Sequence, residues 1–266
     1  MDDGQFREIL NEFNLSWEGY RKVRKGVKKR LSRHMKDLCL QTVPEYLHAI
    51  NHDSELRKQV ARLLSVSISR FFRDRKLWQD LGASVLPRLV EMGSPKARVW
   101  SAGCACGEEA YSFAIAWDQY ARCLSKPPEF ELTATDCDPS VLEKARAGVY
   151  SASSLKEVDT ETAAHYFVPT AERFMVRGFL KRHIIWRLHD LIEDEPPSGE
   201  FQLVFLRNNL LTYCGANIKH SAVQRILNSL APGGFLIIGA HEKIPPEFLK
   251  IELSEFQPLV LQKRAE

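Results

Sequence analysis

The strongest constraint on the fold is a largely apolar segment that runs into two closely spaced glycines and then into a helical pattern. Residues 99–102 lead into Gly103 and Gly107, and apolar residues at helical spacing follow at Tyr111, Ala114, Ile115 and Trp117. This order predicts a strand, a tight turn and a helix. Glycines let a ligand approach the backbone, and the first amides of a helix can bind it. The hypothesis is a nucleotide-like cofactor contacting Ala102, Gly103 and Gly107; the alternative is that the glycines only close the turn.

Strand and helix signals alternate beyond this loop and predict a parallel sheet. Residues 130–135 are predicted to form the second strand, and Asp136 stands at its carboxyl end. Ligands of doubly wound sheets lie outside the carboxyl ends of the strands, where an acidic residue after the second strand commonly binds ribose hydroxyls. Asp136 is therefore predicted to hold a ribose. The glycine spacing lacks the G-x-G-x-x-G pattern of NAD-binding sheets.

Length and composition exclude several classes of protein. With 266 residues, 44% of them hydrophobic, the chain can form a large α/β domain or two smaller ones. No apolar run approaches the roughly 20 residues that span a membrane, and the N-terminus lacks signal-peptide features, so a cytoplasmic protein is expected. The six cysteines are expected to be reduced thiols. Cys104-x-Cys106 has no second Cys or His pair at zinc-ligand spacing, so no metal site is predicted.

A strongly basic segment lies near the N-terminus. Residues 17–38 are predicted to form one amphipathic helix, and positions 21–36 contain nine lysines and arginines without an acidic residue. Such faces are usually only solvated, but these like charges lack i,i+4 partners, and an acidic protein surface or a phosphate backbone would neutralise them. The candidate partner-binding residues are Arg21, Arg24, Lys25, Lys28 and Lys29. The net charge of +3 argues neither for nor against nucleic acid.

These patterns divide the chain into regions. The predicted regions are a helical N-terminal domain at 1–80, a linker helix and boundary at 81–95, and a cofactor-binding domain at 96–266. A short β-subdomain is expected near 167–187. Residues 249–253 and 258–263 are expected to close the sheet as an antiparallel hairpin. The length suggests a monomer.

A set of short motifs is similar to that of a known family. The motifs are Phe71-Phe72-Arg73-Asp74, Trp100-Ser101-Ala102, Gly107-Glu108-Glu109, Tyr111-Ser112, Thr135-Asp136-Cys137-Asp138, Val141-Leu142-Glu143-Lys144-Ala145, Tyr166-Phe167-Val168-Pro169, His189-Asp190-Leu191, Arg207-Asn208 and Gly233-Gly234. With them the chain resembles the CheR family of S-adenosylmethionine-dependent methyltransferases, which esterify glutamates on bacterial chemoreceptors. The resemblance implies an α/β fold: a Rossmann-like class I methyltransferase domain, doubly wound around a mostly parallel sheet, preceded by a small all-helical domain.

The resemblance also implies the site. Carried over by motif, the contacts to S-adenosylmethionine are Ser67, Ser69, Arg73, Glu109, Asp136, Asp190, Leu191, Leu206, Arg207 and Asn208. In the family the arginine of the Phe-Phe-Arg motif also lies near the reacting carboxylate, so Arg73 is expected to orient the acceptor. Arginine can fix a carboxylate through a bidentate contact, but full neutralisation would weaken the nucleophile, so Arg73 is expected to orient the carboxylate rather than clamp it. A glutamate side chain, with a reference pKa of about 4.3, is an anion at neutral pH and needs no general base, so positioning does most of the work. The basic helix corresponds to the family's helix that engages the acidic methylation region of the chemoreceptor.

The substrate end of the site departs from the family pattern. Family members usually have Arg-Asn, then three intervening residues, then Tyr-Phe. In this chain Thr212 occupies the tyrosine register and Tyr213 lies one position later. Either a local bulge restores Tyr213 as a catalytic residue, or the substrate end differs. The segment 169–187 is shorter than in relatives that tether through a receptor's C-terminal peptide, so no such tethering is expected.

Three functions are compatible with the sequence. The first is protein-glutamate O-methylation, the second is S-adenosylmethionine-dependent methylation of a small molecule or RNA, and the third is non-enzymatic binding of the cofactor or a partner. Asn208-Asn209-Leu210-Leu211 lacks the Asn-Pro-Pro-aromatic motif of nucleic-acid amino-methyltransferases, so nucleic acid is not the expected partner. Retention of Arg73 argues against a non-enzymatic module.

Overall fold

The computed structural model describes residues 1–251 and 253–264. The chain packs into two compact units, which we call the helical unit and the sheet unit. The helical unit contains residues 1–66 and 208–220, and the sheet unit contains residues 67–207 and 221–266. The sequence-based boundaries at 80 and 95 stay a prediction.

Helices make up most of the helical unit and flank the strands of the sheet unit. In chain order they are α1 (Asp3–Glu12), α2 (Trp17–Tyr20), α3 (Arg24–Asp37), α4 (Val43–His52), α5 (Ser54–Leu64), α6 (Arg75–Asp80), α7 (Leu86–Glu91), α8 (Glu108–Ala121), α9 (Pro139–Ala147), α10 (Thr160–Tyr166), α11 (Gly178–Lys181), α12 (Leu210–Tyr213), α13 (Ala216–Asn228) and α14 (Pro246–Ile251). A π-helical turn at Leu81–Val85 joins α6 to α7, and a 3-10 turn occupies Ala152–Leu155. Among the described residues, no helix is long and apolar enough to cross a membrane.

The single helix predicted over 17–38 is wrong, because the chain turns at residues 21–23 between α2 and α3. The amides of Arg21 and Val23 donate to carbonyls three residues earlier, which is the tighter 3-10 pattern. Glycines at 19 and 26 lower the helix propensity on either side of the break. The apolar stripe of α3 is nevertheless buried as predicted, through Val27, Leu31 and Met35.

A mostly parallel sheet organises the sheet unit. The strands are β1 (Lys96–Ala102), β2 (Glu129–Asp136), β3 (Val149–Ser151), β4 (Phe167–Thr170), β5 (Arg173–Val176), β6 (Ile184–Leu188), β7 (Phe201–Leu206), β8 (Leu230–Ile238), β9 (Leu253–Gln257) and β10 (Val260–Lys263). The large sheet has the order β6-β2-β1-β7-β8-β10-β9. Neighbouring strands are parallel from β6 through β2, β1 and β7 to β8, whereas β10 is antiparallel to both β8 and β9. The predicted fold class is confirmed. A second, antiparallel sheet has the order β3-β5-β4.

Two local predictions in the sheet unit need correction. The first arm of the C-terminal hairpin is β9 at Leu253–Gln257, whereas 249–251 end helix α14 and residue 252 lies outside the described residues. Pro246 at the first position of α14 is the physical reason, since proline favours a helix start. The polar sequence pattern from Gly148 to about Tyr166 also predicts a helix, whereas the structure forms β3 and the 3-10 turn there before α10 begins.

The predicted glycine loop follows β1 and is fixed to the neighbouring strand. The amides of Gly103 and Cys104 donate to the carbonyl of Thr135 at 2.9 and 2.8 Å. Gly107 has a φ of +91°, and a Cβ there would lie 2.8 Å from the Trp186 ring and 2.9 Å from Ala145. The residue must therefore be glycine for two reasons, its left-handed backbone and the close packing of the loop on these side chains.

We expect Gly107→Ala to lower the free energy of unfolding by about 3 kcal/mol, because the new methyl group adds left-handed strain to overpacking. Urea denaturation measures this. Gly82→Ala is the matched control, since a Cβ at Gly82 meets nothing within 4 Å; its unfolding free energy should stay within about 1 kcal/mol of wild type. Equal losses in the two variants would contradict this account of Gly107.

Candidate cofactor site

The carboxyl ends of three neighbouring strands bring most of the predicted cofactor residues together. Strand β1 pairs with β2 through Ala102 and Thr135, and with β7 through Ser101 and Phe205. The glycine loop, Asp136 and Arg207 follow directly at the ends of these strands. This is the edge at which parallel α/β sheets bind ligands.

Asp136 is buried at this edge, with 8% of its surface exposed. Its carboxylate accepts the amide of Ala105 in the glycine loop at 2.9 Å and that of Asp138 at 3.0 Å. Burial raises the pKa of Asp136, and these two amide donors act in the opposite direction. A carboxylate beside a glycine loop suits a ribose, because hydroxyl groups donate to carboxylate oxygens.

Asp190 and Leu191 lie in the turn after β6, the strand beside β2. The Asp190 carboxylate accepts the amide of Ile192 at 2.8 Å, and the Asp190 amide donates to Asp194 at 2.8 Å. The Leu191 carbonyl accepts from Arg225 at 3.3 Å. The turn is therefore held by its own side chains and by α13, with Asp190 and Leu191 half-buried.

Arg207 lies between two carboxylates and has a side chain only 3% exposed. It donates to Glu109 Oε2 at 3.0 Å and to Asp74 Oδ2 at 2.6 Å, and also to the Arg73 carbonyl at 3.1 Å. The other oxygen of Glu109 accepts from Ser101 at 2.8 Å. Glu109 and Arg207, both predicted as cofactor contacts, thus bind one another. Sequence reasoning missed Asp74 and Ser101 as site residues, although both stand in motifs that carry the family resemblance.

Arg73 projects from a turn with an unusual backbone. Phe72 and Asp74 have φ values of 51° and 65°, in the left-handed region that residues other than glycine rarely occupy. The Arg73 carbonyl accepts from the Trp78 indole at 2.9 Å, and its guanidinium donates to the Ile68 carbonyl at 3.0 Å. Arg73 is half-buried. Backbone strain of about 1–3 kcal/mol per residue is typically found at functional sites and needs support from the surrounding structure.

Other predicted contacts lie close to Arg73 in sequence or in the interior. Ser67 and Ser69 flank Ile68 and are half-buried, whereas Ile68 itself is 69% exposed. Leu206 is fully buried in β7, and Ala102 is 1% exposed at the end of β1. Their side chains therefore support the edge from within.

The structure places Asn208 and Tyr213 in the helical unit. Asn208 has a φ of 57°, and Tyr213 ends α12 with its ring centroid 4.9 Å from that of Tyr20. The Tyr213 carbonyl accepts the amide of Ser16 at 2.7 Å. Both sequence-based interpretations of Tyr213, a restored catalytic residue or a different substrate end, stay predictions.

Basic residues of α3 and of the turn before it have acidic neighbours that the sequence pattern did not reveal. Asp3 contacts Arg24 at 3.3 Å and Lys28 at 2.6 Å, and the hydrogen bond from Lys28 is the main cause of a lowered pKa of Asp3. Arg21 contacts Glu18 at 3.1 Å. Lys25 and Lys29 are exposed on α3. The basic face is thus partly neutralised within the unit.

Comparison with known proteins identifies the class of this site. Residues 67–258 match the family described as "CheR methyltransferase, SAM binding domain". The protein is therefore an S-adenosylmethionine-dependent methyltransferase, and the cofactor prediction is confirmed. The chain belongs to the CheR methyltransferase family.

Named relatives extend over most of the chain. A chemotaxis protein methyltransferase of Listeria innocua is 33% identical over 81% of this chain and 80% of its own length. A probable chemotaxis protein methyltransferase of Rhizobium etli is 32% identical over 83% of this chain and 85% of its own. Chemotaxis protein methyltransferase 1 of Pseudomonas aeruginosa is 28% identical over 86% of both chains.

We expect Asp136→Asn to separate stability from cofactor binding. Burial raises the pKa of Asp136, so the folded state binds its proton more tightly than the unfolded chain, and ionisation costs stability as the pH rises above about 4, the ordinary pKa of an aspartate, and through the raised pKa. Because an amide does not titrate, the unfolding free energy of the variant should rise relative to that of the wild type as the pH increases through this region. Its affinity for S-adenosylhomocysteine should fall at least about tenfold, because an amide accepts less well from ribose hydroxyls.

Denaturation at several pH values and calorimetric titration measure the two effects. Glu143→Gln, which neutralises an exposed carboxylate on α9, is the control and should change neither quantity. Unchanged S-adenosylhomocysteine affinity in Asp136→Asn would exclude Asp136 as a cofactor contact.

Proposed function

We propose that the protein is a protein-glutamate O-methyltransferase that forms methyl esters on the cytoplasmic region of a chemoreceptor-like protein. The observation that carries the proposal is the half-buried Arg73, held in a strained turn beside the Asp74–Arg207–Glu109 network. An arginine in this position suits a carboxylate acceptor, because its planar fork binds a carboxylate in a bidentate manner. The names of the relatives agree with this acceptor class.

In the proposed mechanism the chain's own residues bind and orient. Asp136 holds the ribose, and the loop containing Gly103 and Gly107 approaches the rest of the cofactor. The bound cofactor supplies an electrophilic methyl group on sulfur. Arg73 orients the acceptor carboxylate, which is already ionised at neutral pH and needs no base. Held geometry then supplies most of the acceleration.

The remaining cofactor roles are part of the same proposal. Ser67 and Ser69 contact the cofactor from the segment before Arg73, and Asp190 and Leu191 contact it from the turn after β6. Glu109 and Arg207 act as a pair, each fixing the other at the edge. A cytoplasmic location and a monomeric state complete the proposal.

We propose that the acceptor is recognised without binding of a receptor C-terminal peptide to the three-stranded sheet β3-β5-β4. The hairpin of β4 and β5 is closed by only two residues, Ala171 and Glu172. Strand β4 lies at an edge of this sheet and contains Pro169, which has no N–H to offer an added strand. A binding assay that detects tight, specific capture of a receptor C-terminal peptide would contradict this part.

The first experiment is methyl transfer from labelled cofactor to a lysate of a chemotactic bacterium that lacks its own methyltransferase. We expect label in protein that mild base releases as methanol, because methyl esters hydrolyse in mild base and methylated amines do not. Arg73→Ala should lower the transfer at least about a hundredfold while the chain stays folded. Base-stable label, or label in RNA or small molecules, would move the function to another acceptor class. Absence of any transfer despite S-adenosylhomocysteine binding would favour a binding module.

A separate prediction concerns the basic face of α3, which includes the exposed Lys25 and Lys29, and its effect on the affinity for the acceptor. We expect Lys29→Glu to raise the KM for the protein acceptor about threefold or more at low salt, because it places a like charge before an acidic partner. The affinity for S-adenosylhomocysteine should not change. Lys58→Glu, at an exposed lysine on α5, is the matched control. Equal effects of the two substitutions would mean that general charge, and not this face, sets acceptor affinity.

A further inference from the structure

Ser112 belongs to a motif that the site described above does not use. It lies in α8, one turn after Glu108, and is fully buried. Its hydroxyl donates to the Glu108 carbonyl at 2.7 Å and accepts the amide of Phe72 at 2.9 Å. Because the hydroxyl hydrogen is directed to the helix's own carbonyl, the oxygen is left to accept from Phe72.

This hydrogen bond reaches the turn from which Arg73 projects. Phe72 has a positive φ and lies in a turn outside the regular helices and strands, and Ser112 supplies an acceptor for its amide. On the far side of the turn, Arg207 holds the Arg73 carbonyl and the Asp74 carboxylate. The residue that carries the guanidinium is thus fixed at both neighbours.

The position of Ser112 near the start of α8 connects this hydrogen bond to the glycine loop. The helix begins at Glu108, directly after Gly107, which is the last residue of the glycine loop. Ser112 lies little more than one turn from that start, in a buried stretch of the helix. A hydroxyl at this place therefore relates the position of the glycine loop to the position of the Arg73 turn.

We propose that Ser112 is a positioning residue for Arg73, setting the guanidinium relative to the glycine loop through the hydrogen bond to the Phe72 amide. The inference rests on the proposed role of Arg73. It gives a physical reason for a serine in the Tyr111-Ser112 motif, where alanine would fill the buried site equally well but leave the Phe72 amide without this acceptor.

The test compares Ser112→Ala with Ser84→Ala. Ser84 also accepts one side-chain hydrogen bond, from Gln257 at 2.7 Å, in the same unit. We expect Ser112→Ala to lower kcat/KM for acceptor methylation about tenfold to a hundredfold, and Ser84→Ala to leave it within about twofold. Should Ser112→Ala not fold, Ser112→Cys keeps a similar volume with a weaker acceptor and should show an intermediate loss. Matching losses in the Ser84 and Ser112 variants would overturn the proposal.

A double-mutant cycle with Arg73→Ala separates positioning from general destabilisation. If Ser112 acts through Arg73, its replacement should cause almost no further loss once Arg73 is alanine. The same fold-loss in both backgrounds would show a merely structural role. Should the wild type transfer no methyl group to glutamates, the proposed function fails, and the cycle is measured on S-adenosylhomocysteine affinity instead. There a non-additive loss supports the coupling, whereas an additive or absent loss overturns it.

Discussion

The buried guanidinium of Arg207 is the interaction on which the cofactor edge depends. It joins the end of β7 to Glu109 on α8 and to Asp74 in the Arg73 turn. Loss of Arg207 would leave the Glu109 carboxylate, whose side chain is only 13% exposed, without its counter-charge, and breaking a buried pair in this way costs about 3–5 kcal/mol. Ser101 adds a hydrogen bond to the remaining Glu109 oxygen. The identities of these residues are therefore linked, and a change at one position would require compensation at another.

This network supports a site that works by positioning. The turn containing Phe72 and Asp74 holds two side-chain-bearing residues in the left-handed region. Such a backbone persists only where its surroundings hold it, and here Arg207, Trp78 and Ser112 do so. An acceptor that is already ionised gains little from a base and much from fixed geometry. Rigid support of Arg73 suits that chemistry.

Much of the edge could be predicted from sequence because its signals are local. The change from strand period to helix period around Gly103 and Gly107, and the acidic residue after β2, identified the loop and Asp136. Local signals did not predict ion pairs between residues that are far apart in the sequence. Asp3 neutralises part of α3 from another helix, and Asp74 pairs with Arg207 from far along the chain. The predictions of a single helix over 17–38 and of the first hairpin arm were wrong because turn geometry competes with a periodic pattern.

The segment 208–220 has a consequence for how the chain acquires its structure. The helical unit is assembled from two pieces separated by residues 67–207. The α1–α2 connection pairs with the later piece through Leu15 and Cys214, and Ser16 binds the Tyr213 carbonyl. Synthesis proceeds from the N-terminus, and domains generally fold as units during it. The first unit to leave the ribosome is therefore completed only after β7 and Arg207 have been made, and no single cut in the chain releases it whole.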